Sequence, residues 1–347
     1  MSRALLFGLD NLLLWEFKAN IDRSYTIDGH PSSSGGGSTV ITIPDAVAAD
    51  KRLNFGRMIL VSHGDNNKLP SWAGMLDTPW KALLPAQVTA YNAEYLLSQR
   101  CPDQPFFLQA PLAAIAAEMI NQANAQEEMY IRLGDTGGLD PTIRQETFDQ
   151  RNFWEQLKAL LLRAGAEMTV RPQREPSDGN RLYIYLDVKQ RAGVDTGFLL
   201  HDGDNANIKV TAASVDGQIW NRVTGISGES TQASRQQTTP QISTDSQIYR
   251  TRSIVQQFRS VRENSTLLAN AQTFLDQNKF PKLKLSIQVL DVGDAIPACA
   301  PGNQVLVHAS KLWLPGGRQG WRGTMRLISM NYIESSNTLT ADLEGTL

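Results

Sequence analysis

Four histidines, two Asp-Thr-Gly tripeptides and two cysteines are the residues of this chain best suited to chemistry. His30, His63, His201 and His308 are scattered, and none forms the HxH, HxxxH or HExxH spacing that lets two imidazoles share a metal. His63-Gly64-Asp65 and His201-Asp202-Gly203-Asp204 have the residue types of a metal or hydrolase site. Both lie in turn-rich stretches, where Asp and Gly serve the backbone. Asp202-Gly203-Asp204-Asn205 also starts like a calcium loop but lacks the bidentate Glu at the twelfth position. Asp135-Thr136-Gly137 and Asp195-Thr196-Gly197 repeat the aspartic-protease tripeptide, a chemistry that needs two aspartates sharing one proton. Neither sits in an apolar run that would bury such a dyad. Gly225-Ile226-Ser227-Gly228 fails the spacing of a nucleophile elbow, and no phosphate-binding loop, dinucleotide fingerprint or CxxC occurs. Cys101 and Cys299 read as two small, partly buried thiols. A disulfide between them is compatible with the sequence, whereas a disulfide-stapled scaffold is not. The residues therefore assign no catalytic group, no cofactor and no metal.

Elements that would position any site come from patterning. With 347 residues, 41% hydrophobic and 20% charged, the chain is long enough for two or three domains and too mixed for a disordered polyelectrolyte. Its formal charge of −2 argues against a surface that grips nucleic acid or anionic lipid throughout. No run approaches the roughly 20 apolar residues of a membrane span, which leads to the expectation of a soluble protein folded in the cytoplasm.

Residues 1–100 read as short strands: Phe17–Tyr25, Ser38–Ile43, Phe55–Ser62, Ser71–Leu76 and Val88–Tyr91, with a flexible tip at His30–Gly37. Met58-Ile59-Leu60-Val61 is continuous enough to be buried on both faces. Past Cys101-Pro102 the period changes. Helices are expected at Pro111–Ala125 and after Thr147-Phe148-Asp149, the latter stopped by Gly165. Strands Met168–Val170 and Leu182–Leu186 then flank the turn Pro176–Asn180, making an α+β unit. Ile208–Ala212 and Gln218–Ile226 return to β, Gly228–Ser246 reads as an exposed loop, and Asn264–Gln277 as a third helix. Lys282–Leu290, Val305–Ala309, Gly323–Met330 and Leu339–Leu343 complete a C-terminal β region. Arg250, Arg252, Arg259 and Arg262 form a basic cluster with only Tyr249 and Phe258 near, too few aromatics for a nucleic-acid groove.

One echo links the two ends. Met58–Val61 precedes Trp72-Ala73-Gly74-Met75-Leu76, and Val305-Leu306-Val307 precedes Trp321-Arg322-Gly323-Thr324-Met325. A Trp-x-Gly opening a strand pairs an aromatic anchor with a site of close approach. Trp72, Gly74, Trp321 and Gly323 are thus the expected structural anchors. A degenerate duplication and a chance likeness of two hairpins both fit.

The segment Leu69-Pro70-Ser71-Trp72-Ala73-Gly74-Met75-Leu76-Asp77-Thr78-Pro79 resembles the Pro-x-Trp-x-Gly hairpin of phage tail hub proteins, the baseplate and tail-tip hubs. Further matches are collinear: Phe148–Gly165, Gly203–Ile208, Trp220–Gly225, Ile248–Arg252, Thr266–Asn278 and Pro301-Gly302-Asn303-Gln304-Val305-Leu306-Val307. Two departures stand out. Arg250-Thr251-Arg252-Ser253 replaces the usual Gly-x-Arg-Glu, and Asn303 stands where Asp is commoner. The chain ends at Leu347, before the point at which some members carry a peptidase, lysin or receptor-binding domain, so it resembles the minimal hub.

The resemblance implies an α+β, β-rich fold with two related antiparallel β-barrel tube domains and a peripheral α+β unit. The implied boundaries are 1–100 for the first barrel, 195–228 and 285–347 for the second, and 101–194 with 229–284 for the peripheral domain. It implies a homotrimer whose six barrels form a pseudo-six-fold ring in the virion, at the distal tip or baseplate of a tail. Implied partners are a distal tail or tail tube protein hexamer, a tape measure protein and a central spike or fibre protein, with DNA passing through the lumen without specific binding. Alternatives are a tail-associated cell-wall hydrolase using Asp135, Asp195 or His63, and the spike base of a phage-like injection or secretion apparatus.

Overall fold

Alternation with period two builds the first sheet. In β1 (Ser2–Phe7), Ala4 and Leu6 join one buried cluster while Leu5 and Phe7 join another. The same division holds for Ile59 and Val61 against Met58 and Leu60 in β5 (Met58–Val61), and for Trp72 and Leu76 against Ala73 and Met75 in β6 (Trp72–Leu76). These strands are apolar on both faces because both faces are covered. The structure is a computed structural model. It describes residues 2–28, 37–44, 50, 52–53, 56–61, 69–77, 86–213, 219–228, 236–245, 250–258, 261, 263–290, 292–314 and 318–346.

With β2 (Leu13–Ile21), β4 (Ser38–Ile43) and β7 (Ala86–Asn92), the three strands close an antiparallel barrel in the order β1-β2-β4-β7-β6-β5. Its lumen holds Phe17, Ile21, Ile41, Ile43, Trp72, Val88 and Ala90. Between β2 and β4 the chain leaves this barrel as β3 (Arg23–Thr26), which pairs with a strand of the second sheet.

The outer face of β1, β5 and β6 packs on an α+β unit. Its elements are β8 (Phe106–Pro111), α1 (Leu112–Gln126), β9 (Ile131–Leu133), β10 (Ile143–Phe148), α2 (Phe153–Ala164), β11 (Glu167–Glu175) and β12 (Arg181–Lys189). They form a β10-β8 pair and a β11-β12-β9 sheet. The helix caps are local chemistry: Asn152 accepts the Glu155 N–H at 2.8 Å, and Gly165 turns left-handed at φ 63° to end α2. Thr147-Phe148, expected to lead straight into that helix, instead ends strand β10. The strand's buried residues Arg144, Glu146 and Phe148 alternate with residues more open to solvent.

The second sheet contains β13 (Asp195–His201), β14 (Ala206–Ala213), β18 (Lys282–Val289), β19 (Gln304–Leu314), β20 (Arg318–Ile333) and β21 (Thr338–Thr346), with β3 added beside β20. Its order is β13-β19-β20-β21-β18-β14. Substituting β13 for β1, β14 for β2, β18 for β4, β21 for β7, β20 for β6 and β19 for β5 reproduces the order of the first barrel. One strand differs in direction, since β13 runs parallel to β19 whereas β1 runs antiparallel to β5. Its end then meets β14 through the Asp202–Asn205 turn and a single Asp202–Ala206 bridge instead of a ladder. A short helix, Val292–Ala298, contributes Val292, Ala295 and Ile296 to the apolar core of this sheet.

Strand β15 (Arg222–Ser227), expected within the second barrel, pairs instead with β16 (Gln241–Ile242) and β17 (Ser253–Phe258). It is drawn there by α3 (Asn264–Asn278), whose Leu267, Ala271 and Leu275 bury Val223 and Phe258. A Cβ on Gly225 would lie 3.1 Å from that of Ala271, so glycine permits the approach. The loop expected at Gly228–Ser246 contains β16 and the buried residues Thr238 and Ser243, with 229–235 and 246 outside the described residues. His30, the 30–36 tip, His63 and its turn, Tyr249, Arg259 and Arg262 also lie outside them. Cys101 is exposed, Cys299 is buried, and both are free thiols.

Candidate functional site

The two Trp-x-Gly hairpins share one construction. Within a strand, residues i and i+2 face the same side. Trp72 therefore folds over Gly74, and a Cβ added there would stand 2.7 Å from indole Cζ2 and 2.9 Å from the Tyr91 carbonyl oxygen. Trp321 folds over Gly323 in the same way, at 2.5 Å from Cζ2. The register repeats too: Gly74 faces Ile59 and Trp72 faces Val61, while Gly323 faces Val307 and Trp321 faces Ala309. Both indoles are buried in the cores of their sheets. The first also donates from Nε1 to Asn92 Oδ1 at 3.0 Å, and Asn92 Nδ2 donates to the Ser24 carbonyl at 3.3 Å.

A second constellation locks the second sheet and the α+β unit together, and sequence reasoning missed it. Arg326 of β20 is ion-paired with Glu167 of β11, and its guanidinium also donates to the carbonyls of Gly302 at 3.1 Å and Ala192 at 2.7 Å. Glu167 in turn accepts the Ala192 N–H at 2.8 Å. The planar fork satisfies several acceptors that would otherwise be buried without partners. Gly193 and Gly302, at φ +80° and +97°, let the linker and the Pro301–Asn303 turn touch backbone to backbone. Asn303 accepts the Val194 N–H at 3.0 Å and donates from Nδ2 to the Pro297 carbonyl at 3.1 Å. An aspartate could accept but not donate, which accounts for Asn at this position.

The barrel and second sheet meet again at β3. Buried Arg23 lies 3.6 Å from Glu334, whose carboxylate accepts the Ile21 N–H at 3.0 Å. Beside this seam is a cavity of about 300 Å³, bordered by Trp72, Asn92, Glu94, Arg171, Lys189 and Pro301. Burial pushes the Glu94 carboxyl up to about 7, against the opposing effects of its hydrogen bonds and the Lys158 charge.

The candidate catalytic groups are not brought together. Asp135 is paired with Lys189 at 2.7 Å and accepts the Gly137 N–H, and these contacts hold its carboxyl below the ordinary range. Asp195 accepts the Gly197 N–H at 3.1 Å on β13, a strand of a different sheet. Asp202 and Asn205 do turn work, accepting the N–H groups of Ile208 and His201. Sequence spacing did not reveal that His201 and His308 are register partners, with ring centroids 4.6 Å apart. Among the described residues, no three His, Cys, Asp or Glu side chains cluster in a metal-binding group.

No protein-family model and no curated protein matches the chain. Solved structures do. The prophage tail protein gp18 of Listeria monocytogenes EGD-e superposes with a TM-score of 0.60 at 12% identity, over 99% of this chain and 95% of its own. A tail protein of Neisseria meningitidis MC58 gives 0.57 at 12% identity, over 99% and 96%. The 43 kDa tail protein of prophage MuSo2 from Shewanella oneidensis gives 0.56 at 13% identity, over 99% and 98%. The chain has the fold of these tail proteins along almost its whole length.

Proposed function

We propose that this chain is a structural tail hub of a bacteriophage or phage-like particle, located in the virion at the distal end of the tail. The observation that carries this reading is the strand order of the six-stranded first barrel, reproduced by six of the seven strands of the second sheet, with a Trp-x-Gly hairpin in equivalent register in each. Three chains with two like-shaped sheets apiece present six similar surfaces, which matches a six-fold tube on one side and a three-fold spike or fibre on the other. In this reading both sheets act as tube barrels. Residues 1–100 supply the first except for β3, residues 195–213 and 282–347 supply the second, and the intervening units lie outside the ring. The homotrimer would bind a distal tail or tube protein hexamer, a tape measure protein and a central spike or fibre. DNA would pass without specific binding, in keeping with a formal charge of −2.

The anchors Trp72, Gly74, Trp321 and Gly323 would act by keeping the two barrels alike in shape rather than by touching a partner. No catalytic role is assigned. Mass and symmetry of the purified chain, alone and with a candidate tube protein, test the reading. A three-fold ring supports it, and a monomer that joins no tail assembly overturns it.

A further inference from the structure

His201 and His308 lie far apart in sequence, but the parallel ladder between β13 and β19 places them directly side by side. Their ring centroids are 4.6 Å apart with planes inclined at 47°. Leu200 and Val307, their chain neighbours, point into the core, so both imidazoles face outward, half-buried. Two ring nitrogens that share one ion at about 2.0–2.1 Å stand roughly 3 Å from each other, a spacing open to adjacent rings at this separation.

The backbones under both rings are held. His201 donates its N–H to Asn205 Oδ1 at 2.8 Å, and the His308 carbonyl accepts the Asp202 N–H at 3.0 Å. Pre-organisation of this kind lowers the cost of binding. On β20, Gly320 borders the His308 ring. A Cβ there would come only within 3.9 Å of His308 Nε2, so no side chain at that position covers the nitrogen.

The surrounding charges are mixed. Arg322 stands opposite His308 on β20 and opposes a cation. The buried Asp202 carboxylate favours one, with its charge shared by Ser310 Oγ at 3.2 Å and Lys311 Nζ at 3.7 Å. We propose that His201 and His308 form a two-imidazole site for a divalent transition-metal ion on the outward face of the second sheet. Imidazole donors suit zinc, copper and nickel rather than magnesium or calcium. Two protein ligands leave coordination positions open to water or to donor atoms of a molecule docked on this face. The site stands independently of the hub reading.

The test is titration of the full chain with Cu²⁺, followed by electron paramagnetic resonance, and with Zn²⁺, followed by calorimetry. One equivalent of Cu²⁺ should show coupling to two imidazole nitrogens. His201→Ala and His308→Ala should each weaken binding about tenfold or more, as expected when one of two protein ligands is lost. His201→Gln and His308→Gln provide the same comparison if an alanine variant fails to fold. Wild-type affinity in either variant would overturn the site. So would binding lost through His30→Ala or His63→Ala instead, or no binding below millimolar ion.

Discussion

The indole of Trp321 occupies the space that a side chain on Gly323 would need, and all three atoms nearest to such a Cβ belong to that ring. At Gly74 the corresponding space is shared between the Trp72 ring and the Tyr91 carbonyl oxygen. This difference makes the two hairpins separable by experiment. Gly323→Ala should cost about 1–3 kcal/mol through overpacking. Combining it with Trp321→Leu should recover most of that loss. At Gly74 the recovery in a Trp72→Leu background should be smaller, because the backbone oxygen remains. Urea unfolding of the two double-mutant cycles provides the measurement.

Arg326 and Glu167 join the second sheet to the α+β unit with both side chains largely buried. Removing either partner leaves a charge without its counterion in a dry place. Arg326→Ala or Glu167→Ala should therefore cost about 3–5 kcal/mol. Arg326→Lys should rescue little, since an ammonium cannot span Glu167, Gly302 and Ala192 together. Denaturant midpoints, with limited proteolysis of the 190–194 linker, would show the loss.

Asn303→Asp changes one atom and is expected to destabilise by about 1–3 kcal/mol. The Pro297 carbonyl loses its donor while Val194 keeps its acceptor. Thermal unfolding would check this. A neutral result would mean that an aspartate is tolerated here and that the amide has no role.

Glu94 supplies a pH dependence. Its folded carboxyl titrates at about 7 because it is buried, above the ordinary glutamate value of 4.5. The folded state then holds the proton more tightly than the unfolded chain, so this group favours folding below pH 4.5. That contribution fades as pH rises to about 7. Glu94→Gln should remove the dependence, making the variant more stable than the wild type at pH 8 by roughly 3 kcal/mol relative to their difference at pH 4.5. Unfolding free energies at the two pH values decide it.

The thiols are a simpler check. Cys101 is exposed, whereas burial pushes the Cys299 thiol up to about 12. One thiol per folded chain should react with a disulfide reagent at pH 8, and the second only in denaturant. Two unreactive cysteines released by reductant would instead reveal a bridge.

Much of the β architecture was legible because burial imposes period two. Lys282–Val289 alternates cleanly, and Met58–Val61 is apolar throughout because helices cover the barrel there. Gly165 marked the end of its helix through the same left-handed turn that it adopts. Strand β10 was hidden, since its inward positions include Arg144 and Glu146, polar residues that pair with Asn270 and Arg163. The destination of β15 was also hidden, because alternation reveals a strand but not the sheet it joins. Arg326 with Glu167, and His201 with His308, are products of long-range pairing, and no local spacing encodes them.

The symmetry of the assembled particle bears most directly on the hub reading. Light scattering coupled to size exclusion, with class averages of stained particles, should return three chain masses and a ring with three-fold order that appears six-fold at low detail. A stable monomer or dimer at tens of micromolar, showing no ring with or without tube protein, would contradict it.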